Sequence, residues 1–401
     1  TSPPISPPIS PRPQTTTTTP AAPPVELSAA GDGQYLVVPI TGVIGEESFN
    51  SGLERALKHA MQKRIARVVL DIDTPGGLVD EASAMAKAIA AHREAMAKSG
   101  LKAEFIALVR NAISAGIWLA LSCEQMFIVE GGVIGGAVAF SVDHTTGAAE
   151  VDAKMNSIYA AEVSALADRH GYPAAVVKAM MIMSEQCWAW TDAEGRWRVE
   201  AEKPRENADK AWKVDGAATV LTLRSGEAER LGMARVVGTP DAQALGPALG
   251  LEGWKSAGDA GGDAMAWAKG QAEKDLARAK KQVEEIRDLR QEISTINDTL
   301  LPRAFERANN AHPHNWRYTV FRDTGNFTPE SRQDWVRRTD EALAAWEDVQ
   351  NGMRKLDRLD KRHEQLTGEP YFNRTQARFV AKDIDKVISD LRTNRNRASP
   401  P

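Results

Sequence analysis

The 401-residue sequence is poor in cysteine, with only Cys123 and Cys187. Two thiols in a chain of this length make no disulfide framework, and neither sits in a metal-type CxxC spacing. Buried thiols are expected, with one bridge as the alternative. Long apolar runs are also missing. A membrane-spanning helix needs roughly 18–20 apolar residues, and the most apolar stretch, Phe105–Leu121, is interrupted by Arg110 and Asn111. There is no basic excess: the net charge is −4, so the basic face of a nucleic-acid binder is not expected. No histidine falls where a catalytic base would stand. His59 and His92 lie in amphipathic helical patterns, His144 in a polar loop, and His312, His314 and His363 in a tail of different composition. His170, before Gly171, reads as a helix C-terminal residue favoured by the helix dipole. No cofactor or metal site emerges. The numbering opens on Thr1, which leaves a removed signal peptide open.

What is present divides the chain into four parts. Residues 1–34 hold nine prolines in their first 24 positions and the run Thr15–Thr19. Such a composition buries no core and is expected as a disordered or polyproline-like tether. Tethers of this kind often follow a signal sequence, which favours a periplasmic or exported, membrane-associated protein over a cytoplasmic one. Residues 35–238 alternate strand and helix patterns. Strands are expected at Tyr35–Ile40, Ile65–Ile72, Phe105–Val109 and Gln125–Val129, with helices at Ser48–Met61, Leu78–Ala97 and Ile113–Leu121. Near-continuous apolar strands such as IARVVLDI point to an α/β domain whose parallel sheet is covered on both faces. Residues 239–265 are rich in Gly, Ala and Asp and read as a linker. Residues 266–401 form an all-helical, coiled-coil-like tail. Its seams run through Val283, Ile286, Leu289, Ile293, Ile296 and Leu300; through Ala342, Trp346, Val349, Met353 and Leu356; and through Val380, Ile384, Val387 and Leu391. A homo-oligomer assembled through these seams is expected.

Three segments could carry chemistry. Ser114 stands in Ser114-Ala115-Gly116, between a buried strand and a helix whose N-terminus favours negative charge. A serine hydroxyl is a weak nucleophile and needs a base. A lysine can act as that base where burial disfavours its ammonium form. Lys154 opens the helix expected over Val151–His170, straight after a polar loop, and Lys178 on the next helix leaves the assignment open. Gly76 and Gly77, in Asp73-Thr74-Pro75-Gly76-Gly77 after an earlier strand, allow close backbone approach and N–H groups that could hold an oxyanion. Right-handed crossovers bring both loops to one edge of the sheet. The glycine-rich Gly131–Gly136 either shapes the pocket or forms a hairpin.

The order strand-DTPGG-helix, strand-SAG-helix, Ile134-Gly135-Gly136-Ala137 and a helix with an early lysine resembles the NfeD-type membrane-bound serine proteases. These are the stomatin operon partner proteases of the Clp protease/crotonase superfamily, related to signal peptide peptidase A. The likeness covers roughly Tyr35–Val237, and Val68–Asp80 (VVLDIDTPGGLVD) is its most specific piece. It implies a Clp protease/crotonase-like fold and a Ser-Lys endopeptidase. Ser114 would be the nucleophile and Lys154 the base, with Gly76, Gly77 and Ala115 binding the oxyanion and the substrate backbone. The implied partner is a peptide or protein substrate, including hydrophobic or membrane-derived segments. Cys123-Glu124 departs from the family's small residue and aspartate. No segment matches the family's membrane helices or its small C-terminal β-barrel domain. Two other readings stand beside it: an inactive protease-like scaffold assembling through the tail, and a crotonase-type acyl-CoA enzyme using Glu124 or Glu130.

Overall fold

The computed structural model describes residues 33–137, 148–182, 184–205, 209–215, 220–312, 329–371 and 381–397. The expected tether thus lies almost wholly outside the described residues. The chain divides into two compact units, Thr1–Glu273 and Lys274–Pro401.

In the first unit, β1 (Gln34–Thr41), β2 (Arg67–Thr74), β3 (Glu104–Ile113) and β4 (Gln125–Gly135) pair in sequence order, all parallel. Helices α1 (Asn50–Lys63), α2 (Val79–Lys98) and α3 (Gly116–Leu121) connect them. Side chains alternate across a strand, and the two sheet faces bury different sets. Val68, Leu70, Ile72, Phe105, Ala107 and Val109 join the main core under the helices. Val69, Ile106, Leu108 and Phe127 face the other way. Both faces are covered, as the apolar strands require.

The second cover comes from the segment expected as a linker. Past the short helix α6 (Ser225–Arg230), residues 239–265 hold a 3-10 turn (Ala242–Ala244), the short helix α7 (Leu245–Leu249), a two-residue strand (Lys255–Ser256) that pairs parallel to β1, and the start of a long helix. Ala242, Leu245 and Trp254 pack on the back of the sheet, and Trp254 stacks on Tyr35 with ring centroids 4.2 Å apart. The Trp254 indole N–H donates to the Ala242 carbonyl at 2.8 Å. Gly246 makes room for it, since a Cβ there would sit 2.6 Å from the Trp254 Cβ. The open edge of β1 is closed the same way: Gly261 lies so near the Val37 carbonyl that a Cβ would stand 1.9 Å from its oxygen.

Strand β4 departs from expectation. The glycine-rich segment continues the strand to Gly135, and the β3–β4 register shifts between Val109 and Asn111. Below that irregularity β4 pairs parallel with β9 (Arg235–Val237); above it, antiparallel with β8 (Thr222–Arg224). After β4 come α4 (Ala148–His170) and α5 (Ala174–Met181). A three-stranded antiparallel sheet of β5 (Cys187–Thr191), β6 (Trp197–Glu200) and β7 (Trp212–Asp215) follows. Cys123 and Cys187 are both buried and form no disulfide.

In the second unit, α9 (Leu301–Ala311), α10 (Pro329–Thr367) and α11 (Ala381–Arg397) enclose one apolar cluster with the end of α8 (Ala260–Thr295). The expected seams supply most of it: Ile293, Ile296, Ala342, Trp346, Val349, Leu356, Ile384 and Leu391 are buried. Two expected positions turn outward. Val283 is 66% exposed and Leu300 is 52% exposed, while Leu301 is buried. For Leu300 the cause is a π-helical turn at Ile296–Leu300, just before Pro302, which brings Leu301 inward in its place; Val283 lies earlier on α8, before the buried cluster begins at Ile293. Val380 lies outside the described residues. Among the described residues no helix is long and apolar enough to cross a membrane.

Candidate active site

Strand β3 runs on to Ile113, so Ser114 and Ala115 make the turn and α3 begins only at Gly116. The helix expected from Ile113 is therefore shorter by three residues. Its shortening follows from the strand: above the register shift, Asn111, Ala112 and Ile113 still pair with Val133, Ile134 and Gly135. The turn is sharp. Ser114 has φ 52°, one of two non-glycine residues with positive φ among those described. An L-residue seldom occupies this region without support. Here the support is visible: the Ser114 N–H donates to the Gly135 carbonyl at 3.0 Å, and the Ile117 N–H donates to the Ser114 carbonyl at 3.2 Å. The glycine-rich segment therefore shapes this corner and is not a hairpin.

The second loop meets the first directly. Gly76 has φ 112° and Gly77 φ 146°. A Cβ on Gly76 would stand 2.6 Å from the Ser114 Cβ and 3.1 Å from its Oγ. A Cβ on Gly77 would stand 2.2 Å from the Ile44 carbonyl oxygen. Two cross-strand pairs tie the loops' strands together: Arg110 to Asp71 at 2.7 Å and the Asn111 amide to Asp73 at 2.7 Å.

Thr74 organises the glycine loop. Its hydroxyl donates to the Gly42 carbonyl at 2.6 Å and accepts the Gly76 N–H at 3.0 Å. Its methyl lies where a Cβ on Gly116 would come, 2.7 Å away. The Gly76 N–H is thus already engaged and is no oxyanion donor; Gly76 contributes space. Among the described residues, the N–H groups of Gly77 and Ala115 have no hydrogen-bond partner. Thr74 was not singled out from sequence, although a threonine two residues before a glycine is a hydroxyl-turn signal.

Lys154 lies in α4, but its side chain is outside the described residues. The helix itself is anchored five residues on. The Tyr159 hydroxyl donates to Asp80 Oδ1 at 3.3 Å, and its ring meets Trp118 edge-on at 6.1 Å. One turn further, Ser83 Oγ donates to Glu162 at 2.6 Å and Lys87 pairs with Glu162 at 3.8 Å. Lys178 is exposed on α5, without the burial that a lysine base requires.

Other sequence candidates fall elsewhere. Glu124 immediately precedes β4, at the end of the sheet opposite Ser114. There it pairs with Arg93 at 2.7 Å and accepts the Phe105 N–H at 2.8 Å. Its carboxylate is engaged in that ion pair and backbone contact. Glu130 is exposed beside Gly131. His170 ends α4 as expected, but burial, with the Arg93 charge, lowers its pKa to about 4. It is neutral there, and the dipole does not hold it charged. Among the described residues no cluster of His, Cys, Asp and Glu could hold a metal.

Residues 34–197 match the family model of the NfeD1b N-terminal domain. This part of the chain is an NfeD-type domain. A curated relative, the membrane protein NfeD1b of Bacillus subtilis (strain 168), is 33% identical over 141 residues. That match covers 35% of this chain and 29% of the relative, so the chain spans less than a third of its length. Among solved structures, the chain is similar to a serine-to-alanine variant of a membrane-bound stomatin-specific protease. The identity is 19% and the TM-score 0.37, with 53% of this chain and 82% of that one covered. A membrane protease specific for a stomatin homolog from Pyrococcus horikoshii is 18% identical, with a TM-score of 0.35 over 54% and 78% of the two chains.

Proposed function

We propose that the NfeD-type domain is a serine endopeptidase in which Ser114 is the nucleophile and Lys154 its base. The observation that carries this reading is the Ser114 corner: a serine held at φ 52° against a glycine that leaves it room. Beside it stand two N–H groups without partners among the described residues. A structural serine has no need of a conformation that strains its backbone.

In the proposed reaction the neutral Lys154 amine takes the Ser114 proton as Oγ attacks the scissile carbonyl. The N–H groups of Gly77 and Ala115 hold the oxygen that becomes negative, a contribution of roughly 3–4 kcal/mol per donor in comparable sites. The Lys154 ammonium then gives its proton to the leaving amine, and water releases the acyl group by the same proton path in reverse. Leu78, 61% exposed directly after Gly77, gives the corner an apolar rim. Peptide or protein substrates with hydrophobic or membrane-derived segments, a homo-oligomeric state, and a periplasmic or exported, membrane-associated location belong to the same proposal. The curated relative's description as a membrane protein supports the membrane association alone.

The test is cleavage of fluorogenic peptides by the purified chain and its Ser114→Ala and Lys154→Ala variants. Each variant should lose at least about a thousandfold in kcat/KM. Unchanged cleavage in either overturns the assignment. A folded wild-type chain that cleaves nothing supports the inactive-scaffold reading instead.

A further inference from the structure

We propose that Tyr159 is a positioning residue for the base, acting with Asp80 and Trp118 to set the roll and height of α4. The proposal rests on the assignment of Ser114 and Lys154 above.

Two polar rungs join α2 and α4, Tyr159 to Asp80 and Glu162 to Ser83. Both step three residues in the same direction, so the two helices run parallel. A helix rises about 1.5 Å per residue, which puts the level of Lys154 some 7–8 Å before Tyr159. Gly77 likewise precedes Asp80 by three residues. The rungs therefore fix the lysine-bearing end of one helix relative to the glycine turn that opens the other.

One rung would allow rotation about the shared contact; two do not. The lower side of the clamp is Trp118, 1% exposed and four residues beyond Ser114. It meets the Tyr159 ring edge-on at 77°. One side chain thus touches the helix after the serine and the helix after the glycines, on the element that carries the base. Tyr159 itself is only partly buried, so its packing adds little to the core. A lysine reaches its target through a flexible four-carbon stem, and proton transfer loses roughly a hundredfold for an error of about 1 Å. The charged groups facing Tyr159 are Asp80 and Glu162, with Lys87 beyond on Glu162.

The experiment measures the rate at which a fluorophosphonate labels Ser114, as a function of pH, with amide hydrogen exchange over residues 148–158. In labelling, Ser114 Oγ bonds to phosphorus, fluoride leaves, and the serine proton passes to the base. Tyr159→Phe and Asp80→Ala should each slow labelling roughly tenfold, move its pH midpoint, and speed exchange over 148–158. Asp80→Asn, which still accepts the phenol hydrogen bond, should stay near wild type. Labelling at the wild-type rate and midpoint in both Tyr159→Phe and Asp80→Ala overturns the proposal. So does faster exchange with an unmoved midpoint, which marks a merely structural rung. A wild-type chain that labels at no pH defeats the Ser114 assignment itself, an outcome distinct from either.

Discussion

At the scale of single residues, the candidate site depends on what is left out. Gly76 lacks the Cβ that would stand 2.6 Å from the Ser114 Cβ, and its φ of 112° suits no other residue. Gly76→Ala should therefore cost about 1–3 kcal/mol of stability from backbone strain alone and displace the serine. Urea unfolding and fluorophosphonate labelling check both parts. Thr74→Val keeps the methyl over Gly116 but strands the Gly76 N–H and the Gly42 carbonyl. It should destabilise by about 1–3 kcal/mol, with Thr74→Ser closer to wild type. The glycines and the serine were legible in the sequence because tight turns admit few residue types. The left-handed backbone of Ser114 was not, since nothing in serine's chemistry announces it. Nor was the engagement of the Gly76 N–H, which depends on a threonine side chain folding back two residues. In the proposed reaction that engagement leaves the oxyanion to Gly77 and Ala115.

At the scale of elements, strand and helix alternation was readable from periodicity, and the parallel sheet follows from it. Two segments read differently in the fold. Gly131–Gly136 looks like loop by composition, yet glycines at a bulge let β4 resume pairing after an irregularity. Residues 239–265 look like linker by composition, yet Ala242, Leu245, Leu249, Leu251 and Trp254 bury apolar surface on the back of the sheet. Their steps of two to four residues, diluted by small residues between, carried no clean helical or strand period. The consequence is measurable. Trp254→Ala should destabilise the first unit by about 3–5 kcal/mol, as deletion of a packed aromatic does. A linker substitution would leave the urea midpoint unmoved.

At the scale of the molecule, each unit has its own core, so unfolding should show two transitions. Leu356→Ala should shift only the second unit's transition, by about 2–5 kcal/mol, in a melt followed by amide exchange. The first unit should also respond to acid. His170 is held neutral with a pKa of about 4, from an ordinary 6.5. Between those values the unfolded chain binds more protons, so stability falls as pH falls, by roughly 2 kcal/mol from pH 7.5 to 5. Denaturation at the two pH values checks this, and His170→Gln should flatten the slope. The π-helical turn at Ile296–Leu300 sets the phase of everything after it. Ile296 and Leu301 are both buried, yet at about 100° per residue an ordinary α-helix would leave them roughly 140° apart. The wider turn absorbs one surplus residue, so the stripes on either side stay aligned. Excising one residue from 297–299 would remove no buried side chain and would make the two an i,i+4 pair on one face of a plain α-helix. The surplus residue could thus be dropped while the Leu301–Ala308 face still met α10.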